Sequence, residues 1–478
     1  MSPLCASLLL LAAADQAEPV VPPAAAQAQS PAPAGGDELM ETYEDFRAHY
    51  DGGRYQDALP LAERVVGLTE SRADREHELP TAWNNLAATH FLIGNYDAAE
   101  ANYVKALELL EATHGIASPR LIVPLAGLGA VQAAVDRRGI AAGFYARALA
   151  VSRRSEGLFN VAQLPLVEQA ADNLQALRDY AGAELERRYI LRIAEQNYGY
   201  GDPRTLPALQ QLADFYERLH EYVAARTMYL RIRDVTMQES GGYNPDSIRA
   251  LLGIARTHRM QFTQDPTMVE GQQAARDDIT GEVLAGWQQE SRPQAISADR
   301  TGLKAVRTAL ELLRTTPDPP KQLLLDTLIE LGDWFQATGR PGLAMPHYEE
   351  AAAILAAAPD AGLSNRLQLP QLVAYRPPFA ASRGLAATEG SYRLRRTVFE
   401  FTVSAAGEPH DITVIESDMS EGQLMQSRRS LARALYRPRF ENGKAVASTG
   451  VRFTGEWSEL QLPATQPAAA QPAASDKN

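Results

Sequence analysis

The amino-acid sequence predicts a mostly helical fold, in which paired helices stack as an α-solenoid and are followed by a small α+β domain with the element order ββαβ. Three observations lead to this prediction. A block of about 42 residues recurs along the first two thirds of the chain, and within each block the apolar residues lie at helical spacing. From residue 395 onward, apolar residues alternate with polar ones, as in half-buried strands.

The recurring block is recognised by small and aromatic residues that return at fixed positions. Trp83 and Leu86 belong to one helical stretch, and Tyr103 belongs to the next. Each block is therefore predicted to form two amphipathic helices that approach closely at an alanine, with the tyrosine filling the wedge between them. One pair of helices cannot bury its apolar stripe alone, so neighbouring pairs must stack. The alanines at the predicted close approach are Ala99, Ala141, Ala183, Ala225 and Ala344.

The array of helix pairs is predicted to span residues 38–358. Its first copy, which opens at Tyr55, is one residue out of register. Residues 262–296 break the pattern because proline and glycine recur there, and they are predicted to form an irregular insertion or a degenerate hairpin. The pattern returns at Gly332. A linker is predicted over residues 359–385.

These residues resemble the tetratricopeptide repeat, whose signature combines Trp, Leu-Gly, Tyr and Ala positions over about 34 residues. The surplus of roughly eight residues per block, with Pro119, Pro203 and Pro245 in register between blocks, resembles the kinesin-light-chain type of repeat. The resemblance implies a protein or peptide partner, bound in a groove that the first helix of each pair lines. It also implies that asparagine side chains in this groove hold the backbone of an extended peptide.

The composition indicates a large folded chain with more than one domain. Lys and Arg number 46 and Asp and Glu number 59, which gives a formal net charge of -13. This charge repels phosphate backbones and anionic membrane surfaces, so nucleic acid is not an expected partner. Membrane association is expected only through a partner or an uncleaved N-terminus. Residues 461–478, rich in Pro, Ala and Gln, are predicted to be disordered.

The N-terminal residues predict a signal peptide over residues 1–14, followed by a Pro/Ala-rich leader over residues 15–37. The apolar run that ends at Ala14 is too short to span a bilayer, and small residues stand where a signal peptidase cleaves. No Lys or Arg precedes this run, which a misplaced start site would explain. Cleavage near Ala14 would remove Cys5, the only cysteine. The expected location is the periplasm, whereas an uncleaved N-terminus would favour a cytoplasmic adaptor.

Residues 386–460 are predicted to form the α+β domain. Residues 398–403 and 412–415 alternate as two strands around a glycine turn. A helix is predicted over residues 420–435, and its arginines are interpreted as a solvated face. After a further turn, residues 446–457 are predicted to form the last strand.

The segments 434–438, 442–446 and 451–453 resemble the C-terminal domain of TonB-family proteins, and the resemblance covers about 80 residues. In that family the domain pairs an exposed strand edge with a short segment of an outer-membrane receptor, which is β-augmentation. The resemblance therefore implies a partner-binding edge on the last strand. A long Pro-Glu/Pro-Lys spacer, as in an energy-transducing TonB, does not occur, because repeats take its place. The candidate edge residues are Val446, Val451 and Phe453.

Motifs for nucleophilic, metal-dependent or phosphate chemistry do not occur in the sequence. The eight histidines are dispersed, and none forms a pair at metal-ligand spacing. No metal site and no cofactor are therefore predicted. Asp172 and Asp214 occupy equivalent positions in successive blocks, so they are not interpreted as a catalytic pair. The sequence predicts a non-enzymatic protein.

The candidates for the peptide-binding groove are polar residues on the first helix of each pair. Side-chain amides can donate and accept hydrogen bonds along an extended backbone. The acidic and amide residues suit a partner with a basic segment, and the arginines suit an acidic one. The alternative is a solvated face, or bridges between repeats that are each worth little. The candidates are Asn84, Asn85, Glu168, Asp172, Gln210, Asp214, Arg249 and Arg256.

Together these features favour a periplasmic protein-protein interaction scaffold, in which the repeats bind a peptide or protein and the TonB-like domain contacts an envelope partner. The alternative is an accessory or energy-transducer-like component that acts on TonB-dependent outer-membrane receptors in transport. Binding of receptor peptides by the C-terminal domain would favour this alternative.

Overall fold

The computed structural model divides into two compact units, Met1–Phe215 and Tyr216–Asn478. Its described residues contain 15 α-helices and seven β-strands. Within them, no helix is long and apolar enough to cross a membrane. The predicted signal peptide, leader and tail lie outside the described residues, as does most of the predicted insertion. Most of the predicted linker is described, and it contains a short strand at Gln371–Ala374. The described residues are 38–240, 244–263, 295–358, 362–376, 378 and 392–460.

The first unit consists of helix pairs that recur about every 42 residues, as the sequence predicts. In the three pairs that follow residue 78, the first helix has 13 or 14 residues and the second has 19. The boundary between the two units lies within the helix Leu206–Arg218. The helices are α1 Glu38–Asp51, α2 Tyr55–Glu70, α3 Leu79–Leu92, α4 Tyr96–His114, α5 Ile122–Ala134, α6 Arg138–Glu156, α7 Leu164–Ala176, α8 Tyr180–Tyr198 and α9 Leu206–Arg218.

A capped turn precedes α5, α7, α9 and the later helix that begins at Pro245, and the capping residues recur every 42 positions. Ser118, Asn160, Asp202 and Asn244 each accept a hydrogen bond from the backbone N–H two residues later, at 3.3, 2.8, 2.8 and 2.7 Å. A side chain that satisfies a free N–H at a helix start stabilises that start. Three residue types perform the same task, so this part of the repeat is hard to recognise in the sequence.

Replacing Asn160 with alanine is expected to lower the free energy of unfolding of the first unit by about 1 kcal/mol, because the N–H of Ala162 loses its acceptor. Urea denaturation of the full chain measures this loss. Asn160→Asp is the matched control, since aspartate retains the accepting oxygen and should change the stability by only a few tenths of a kcal/mol. A loss in N160D as large as in N160A would contradict the capping role.

Small residues make room for aromatic rings between the helices. A methyl group on Gly127 of α5 would lie 2.3 Å from the ring of Tyr103 on α4, and one on Gly129 would lie 2.6 Å from the ring of Tyr145 on α6. The wedge tyrosines therefore pack on bare glycine backbone on both sides of α5. The alanines at the close approach have no exposed area: Ala99, Ala141, Ala183, Ala225 and Ala344.

The second unit begins with helices of the same kind. Gly332, where the repeat pattern was predicted to return, makes room for Tyr348, since a methyl group there would lie 2.3 Å from its ring. These two residues lie on the two helices of the last pair. The helices are α10 Tyr222–Ser240, α11 Pro245–Thr263, α12 Ala295–Thr315, α13 Lys321–Ala337 and α14 Pro341–Ala357.

The C-terminal domain consists of β1 Gln371–Ala374, β2 Tyr392–Val403, β3 Pro409–Ser417, α15 Glu421–Leu431, β4 Leu435–Arg437, β5 Arg439–Glu441, β6 Lys444–Val446 and β7 Ser448–Leu460. Strands β3, β2 and β7 form an antiparallel sheet in that order, while β1 pairs with β4 and β5 with β6. The core combines Phe399 and Phe401 of β2, Ile412 of β3 and Leu431 of α15. The main ββαβ order agrees with the prediction, and the short strands are additional.

The last strand begins later than predicted. The sequence predicts a single strand that starts at Val446. The structure instead places Val446 on β6, where it pairs with Arg439. Asn442 and Gly443 have φ values of 50° and 77°. Positive φ at both positions allows a two-residue hairpin turn, so β5 and β6 form a separate hairpin before β7.

A buried network of polar side chains joins α13 to the C-terminal domain within the second unit. Arg437 of β4 donates to both carboxylate oxygens of Asp333, each at 3.0 Å. One turn later, Gln336 donates to the backbone carbonyls of Ala406 and Tyr436 at 2.8 and 2.9 Å. The C-terminal domain and the last helix pair are therefore packed together through specific buried contacts.

Candidate protein-binding surfaces

The polar candidates of the first unit lie on the first helices α3, α7 and α9. Asn84 and Asn85 are half-buried on α3. Two repeats later the position of Asn84 is occupied by Glu168, and three repeats later by Gln210. A contact between successive repeats links part of this set, because Gln211 Nε2 donates to Glu168 Oε1 at 3.0 Å. We call the polar side chains of α3, α5, α7 and α9 the first-helix face.

Both aspartates of the first-helix face accept hydrogen bonds, but from different kinds of donor. Asp214 accepts a hydrogen bond from Gln210 at 2.8 Å. Asp172 accepts one at 2.7 Å from Arg187 of α8, whose guanidinium lies 5.2 Å from the ring centroid of Phe215. The side chain of Asp172 is 51% exposed, whereas that of Arg187 is 7% exposed. Arg187 therefore holds Asp172 from the buried side and leaves the carboxylate accessible to a partner.

Several side-chain amides of the first-helix face have a buried oxygen that makes no hydrogen bond to any described residue. An unsatisfied buried acceptor costs about 1–3 kcal/mol, and a donor on a bound partner could recover this cost only where the side chain turns outward. Gln132 and Gln169 are the most buried of these residues, at 2% and 8% exposed. The oxygens belong to Asn84, Gln132, Gln169 and Gln211.

Sequence reasoning missed Arg187, although the sequence contains a signal for it. Arg187 stands at the repeat position of Tyr103, Tyr145 and Tyr229. An arginine in place of a buried wedge tyrosine must find polar partners, and the structure supplies Asp172 for the guanidinium. The departure from the repeat therefore marks a residue that positions a candidate site.

The two arginine candidates of the second unit lie on α11, and both have carboxylate partners. Arg249 is exposed and pairs with Asp246. Arg256 donates to both oxygens of Glu217. Burial alone would raise the pKa of Glu217, but the hydrogen bond from Arg256 lowers that pKa below its usual value. The charge of Arg256 is thus matched within the unit, and binding of an acidic peptide by these arginines stays a prediction.

β7 is an edge strand whose strand partner among the described residues is β2. Val451 pairs with Phe401, and Phe453 pairs with Phe399. The side chains of Val451 and Phe453 also pack against the core of the domain. What β7 offers to a partner is therefore its outer row of backbone N–H and C=O groups rather than these two side chains.

His258 on α11 is a buried histidine, only 9% exposed. Its Nδ1 makes no hydrogen bond to any described residue. Burial lowers the pKa of His258 from its usual 6.5 to about 3, and the charge of Arg226 contributes in the same direction. The imidazole is therefore neutral at physiological pH. Across the described ranges, no group of three His, Cys, Asp or Glu residues could hold a metal ion.

The stability of the second unit is expected to fall as the pH decreases from 7 to 5, because the unfolded chain protonates His258 and the folded chain does not. Since the folded pKa lies below the unfolded value, the contribution is present above pH 6.5 and is lost as the pH falls toward 3. One such proton accounts for a loss of about 2 kcal/mol over this range. Urea titrations at pH 7 and pH 5 should show that the loss of unfolding free energy between these pH values is smaller in His258→Gln than in the wild type. His77→Gln, at an exposed histidine, should leave the loss unchanged, and an unchanged loss in H258Q would contradict the assignment.

Comparisons with known proteins agree with the repeat architecture. The tetratricopeptide-repeat family model matches residues 78–154, which contain α3, α4, α5 and most of α6. A comparison with curated proteins finds no significant match.

Solved structures with a similar arrangement include TPR-like repeats of a Podosopora anserina protein assigned as a kinesin light chain. It is 17% identical with a TM-score of 0.38, covering 42% of this chain and 96% of that one. The C-terminal part of a TPR repeat-containing protein from Cytophaga hutchinsonii is 13% identical with a TM-score of 0.41, covering 68% and 97%. BtubC (BKLC) from P. vanneervenii is 16% identical with a TM-score of 0.34, covering 69% and 96%. Similarity at this level does not indicate function.

The match over residues 78–154 coincides with two helix pairs that share the 42-residue spacing of their glycines, alanines and tyrosines. Helix pairs of the same kind continue beyond the matched residues in the described part of the chain. The chain therefore contains tetratricopeptide repeats, and such repeats are typically non-enzymatic modules for protein-protein interaction.

Proposed function

We propose that the chain is a non-enzymatic periplasmic scaffold that binds a protein or peptide on the first-helix face. The repeats themselves point to protein-protein interaction. The observation that carries the more specific proposal is the row of half-buried polar side chains at one repeat position, Asn84, Glu168 and Gln210, together with the accessible carboxylate of Asp172. These side chains recur along the first helices α3, α7 and α9, as contacts to one extended ligand would require.

The chemistry of the first-helix face indicates what kind of ligand it binds. The half-buried Asn84 and Gln211 contribute amide oxygens, and Asp172 contributes an accessible carboxylate. All of these groups accept hydrogen bonds, so the complementary ligand must donate them. Backbone N–H groups of an extended peptide and cationic side chains meet this requirement. The expected partner segment is therefore extended and carries Lys or Arg.

The same proposal assigns the outer edge of β7 to an envelope partner. β7 has 13 residues and uses one side to pair with β2. An extended segment could hydrogen-bond to its other side by β-augmentation. The resemblance of segments 434–438 and 451–453 to TonB-family domains supports this assignment. The alternative function, an accessory or energy-transducer-like role on TonB-dependent outer-membrane receptors, rests on the same edge.

The periplasmic location is part of the proposal and rests on residues 1–14. Fractionation of the cells, with mass spectrometry of the mature N-terminus, tests it. We expect a chain cleaved near Ala14 in the periplasmic fraction. An intact N-terminus in the cytoplasmic fraction would refute the location and favour a cytoplasmic adaptor.

Affinity capture with the full chain tests the first-helix face. The wild type and the variant Asn84→Ala/Gln211→Ala would be used as baits on crosslinked envelope fractions, and each recovered partner would be quantified. We expect the variant to recover at least tenfold less of the partner, as the loss of two hydrogen bonds from charged or peptide donors predicts. Gln56→Ala, at an exposed amide on α2, is the control and should recover the wild-type amount. Equal recovery by all three baits would argue against this face.

Binding of receptor segments tests the alternative function. A labelled synthetic segment from the periplasmic end of a TonB-dependent receptor would be titrated with the full chain by fluorescence anisotropy, with a scrambled segment as control. Saturable binding of the receptor segment alone would favour the transport-linked role. Absence of binding at high micromolar concentration would exclude such a role for the β7 edge.

A further inference from the structure

The other edge of the three-stranded sheet carries a groove that the proposed function does not use. β3 pairs with β2 on one side and has no strand partner on its other side within the described ranges. The groove runs between β3 and α15. Ile412 lines it from the strand, and Met425, Arg428 and Arg429 line it from the helix. We call it the β3–α15 groove.

Both elements that form the β3–α15 groove carry exposed apolar side chains. Met425 on the helix is 52% exposed, and on the strand Val414 and Ile415 are 38% and 54% exposed. Val414 pairs with the core residue Phe399, so the exposed apolar surface continues from the sheet core to the open edge. An open strand edge with exposed apolar side chains is a template for pairing with another chain.

The charges of the β3–α15 groove indicate the sign of its ligand. Arg428 and Arg429 are exposed, and the ion pairs of the described C-terminal domain include neither of them. The carboxylate that lines the groove belongs to Asp411, which is hydrogen-bonded to His410 at 2.7 Å. The chain as a whole is acidic, with a net charge of -13. Two adjacent arginines that form no ion pair within the described domain therefore favour an anionic ligand at this place.

We propose that the β3–α15 groove binds an extended acidic segment of a partner protein, which adds a strand to β3 and places carboxylates on Arg428 and Arg429. The backbone of β3 would supply the strand hydrogen bonds, and apolar side chains of the segment would cover Met425 and Ile412. Each guanidinium would form a charge-assisted pair with a carboxylate. This site is distinct from the first-helix face and from β7, so its failure would leave the proposed function standing.

Fluorescence anisotropy with a defined probe tests this inference. The probe is a labelled, capped peptide of four Val-Glu repeats, titrated with the full chain at low and high salt. We expect saturable binding that weakens with salt, because the pairs are at the surface. Arg428→Glu/Arg429→Glu should weaken binding at least a hundredfold, or tenfold per arginine. Arg433→Glu, a charge reversal at an exposed arginine outside the groove, should stay within twofold of the wild type.

A second probe separates strand addition from simple charge attraction. The same peptide with an N-methyl group on every backbone nitrogen has no N–H to donate from either edge and cannot complete the strand pairing, so it should lose binding. The proposal would be overturned if the unmodified probe did not bind, if the double variant bound it as well as the wild type, or if the methylated probe bound equally. Tighter binding of a peptide that copies residues 461–478 would assign the groove to the chain's own tail instead. Dimers in sedimentation that R428E/R429E abolishes would assign it to a second copy.

Discussion

Replacing Asp333 with alanine is expected to lower the free energy of unfolding of the second unit by about 3–5 kcal/mol. Asp333 and Arg437 are 3% and 2% exposed, so the variant would leave the guanidinium of Arg437 buried without its counter-charge. The hydroxyl of Tyr348 would also lose its acceptor, which lies at 2.8 Å. Urea denaturation of the full chain at pH 7 measures the loss.

A matched variant on the same helix distinguishes the buried pair from surface charge. Asp326 pairs with Arg366 at 3.5 Å, with both side chains partly exposed. Asp326→Ala is expected to cost less than about 1 kcal/mol, because exposed ion pairs contribute little. Asp333→Leu combined with Arg437→Met should be more stable than D333A, since it removes the buried charge as well as its partner. Similar losses for D333A and D326A would contradict the structural role of this pair.

The Gly127→Ala variant is expected to destabilise the first unit by about 1–3 kcal/mol, although alanine forms helices better than glycine does. The added methyl group would lie 2.3 Å from the ring of Tyr103, which is 1% exposed. Either the ring or α5 must shift, which disturbs the stacking of one helix pair on the next. Thermal unfolding followed by circular dichroism detects the change.

Gly143→Ala, on the neighbouring helix α6, is expected to have the opposite effect on stability. No atom lies within 4 Å of the position that a methyl group on Gly143 would take. This variant should therefore raise the stability by up to about 1 kcal/mol, from helix propensity alone. If both variants changed the stability in the same direction and by the same amount, tight packing at Gly127 would not be the cause.

The repeat could be predicted because packing restricts its small positions to one or two residue types. Ala99 and its equivalents lie where two helices touch, so alanine recurs and the period is visible. The helix caps at Ser118, Asn160 and Asp202 serve equally well with three different residues, so their period emerges only from the structure. A position that requires only a hydrogen-bond acceptor is therefore harder to recognise in the sequence than a position where only a small side chain fits.

Long-range polar contacts could not be predicted in the same way. Arg437 and Asp333 are 104 positions apart, and no repeat relates them. Sequence patterns separated the last helix pair from the C-terminal domain because the apolar periodicity changes between them, whereas the structure packs the two together. The first-helix candidates were placed by repeat position, but their hydrogen bonds depend on neighbouring helices: Gln211 of α9 reaches Glu168 of α7.

Site-specific photo-crosslinking in living cells tests the central claim, that the first-helix face binds a protein. A crosslinking amino acid would be placed at Asn85 on α3, at Gln210 on α9, and at Glu108, an exposed position on the second helix α4. The account predicts that the same partner is captured from Asn85 and Gln210 and not from Glu108. Capture at equal yield from Glu108, or no capture from either position on the face, would contradict it.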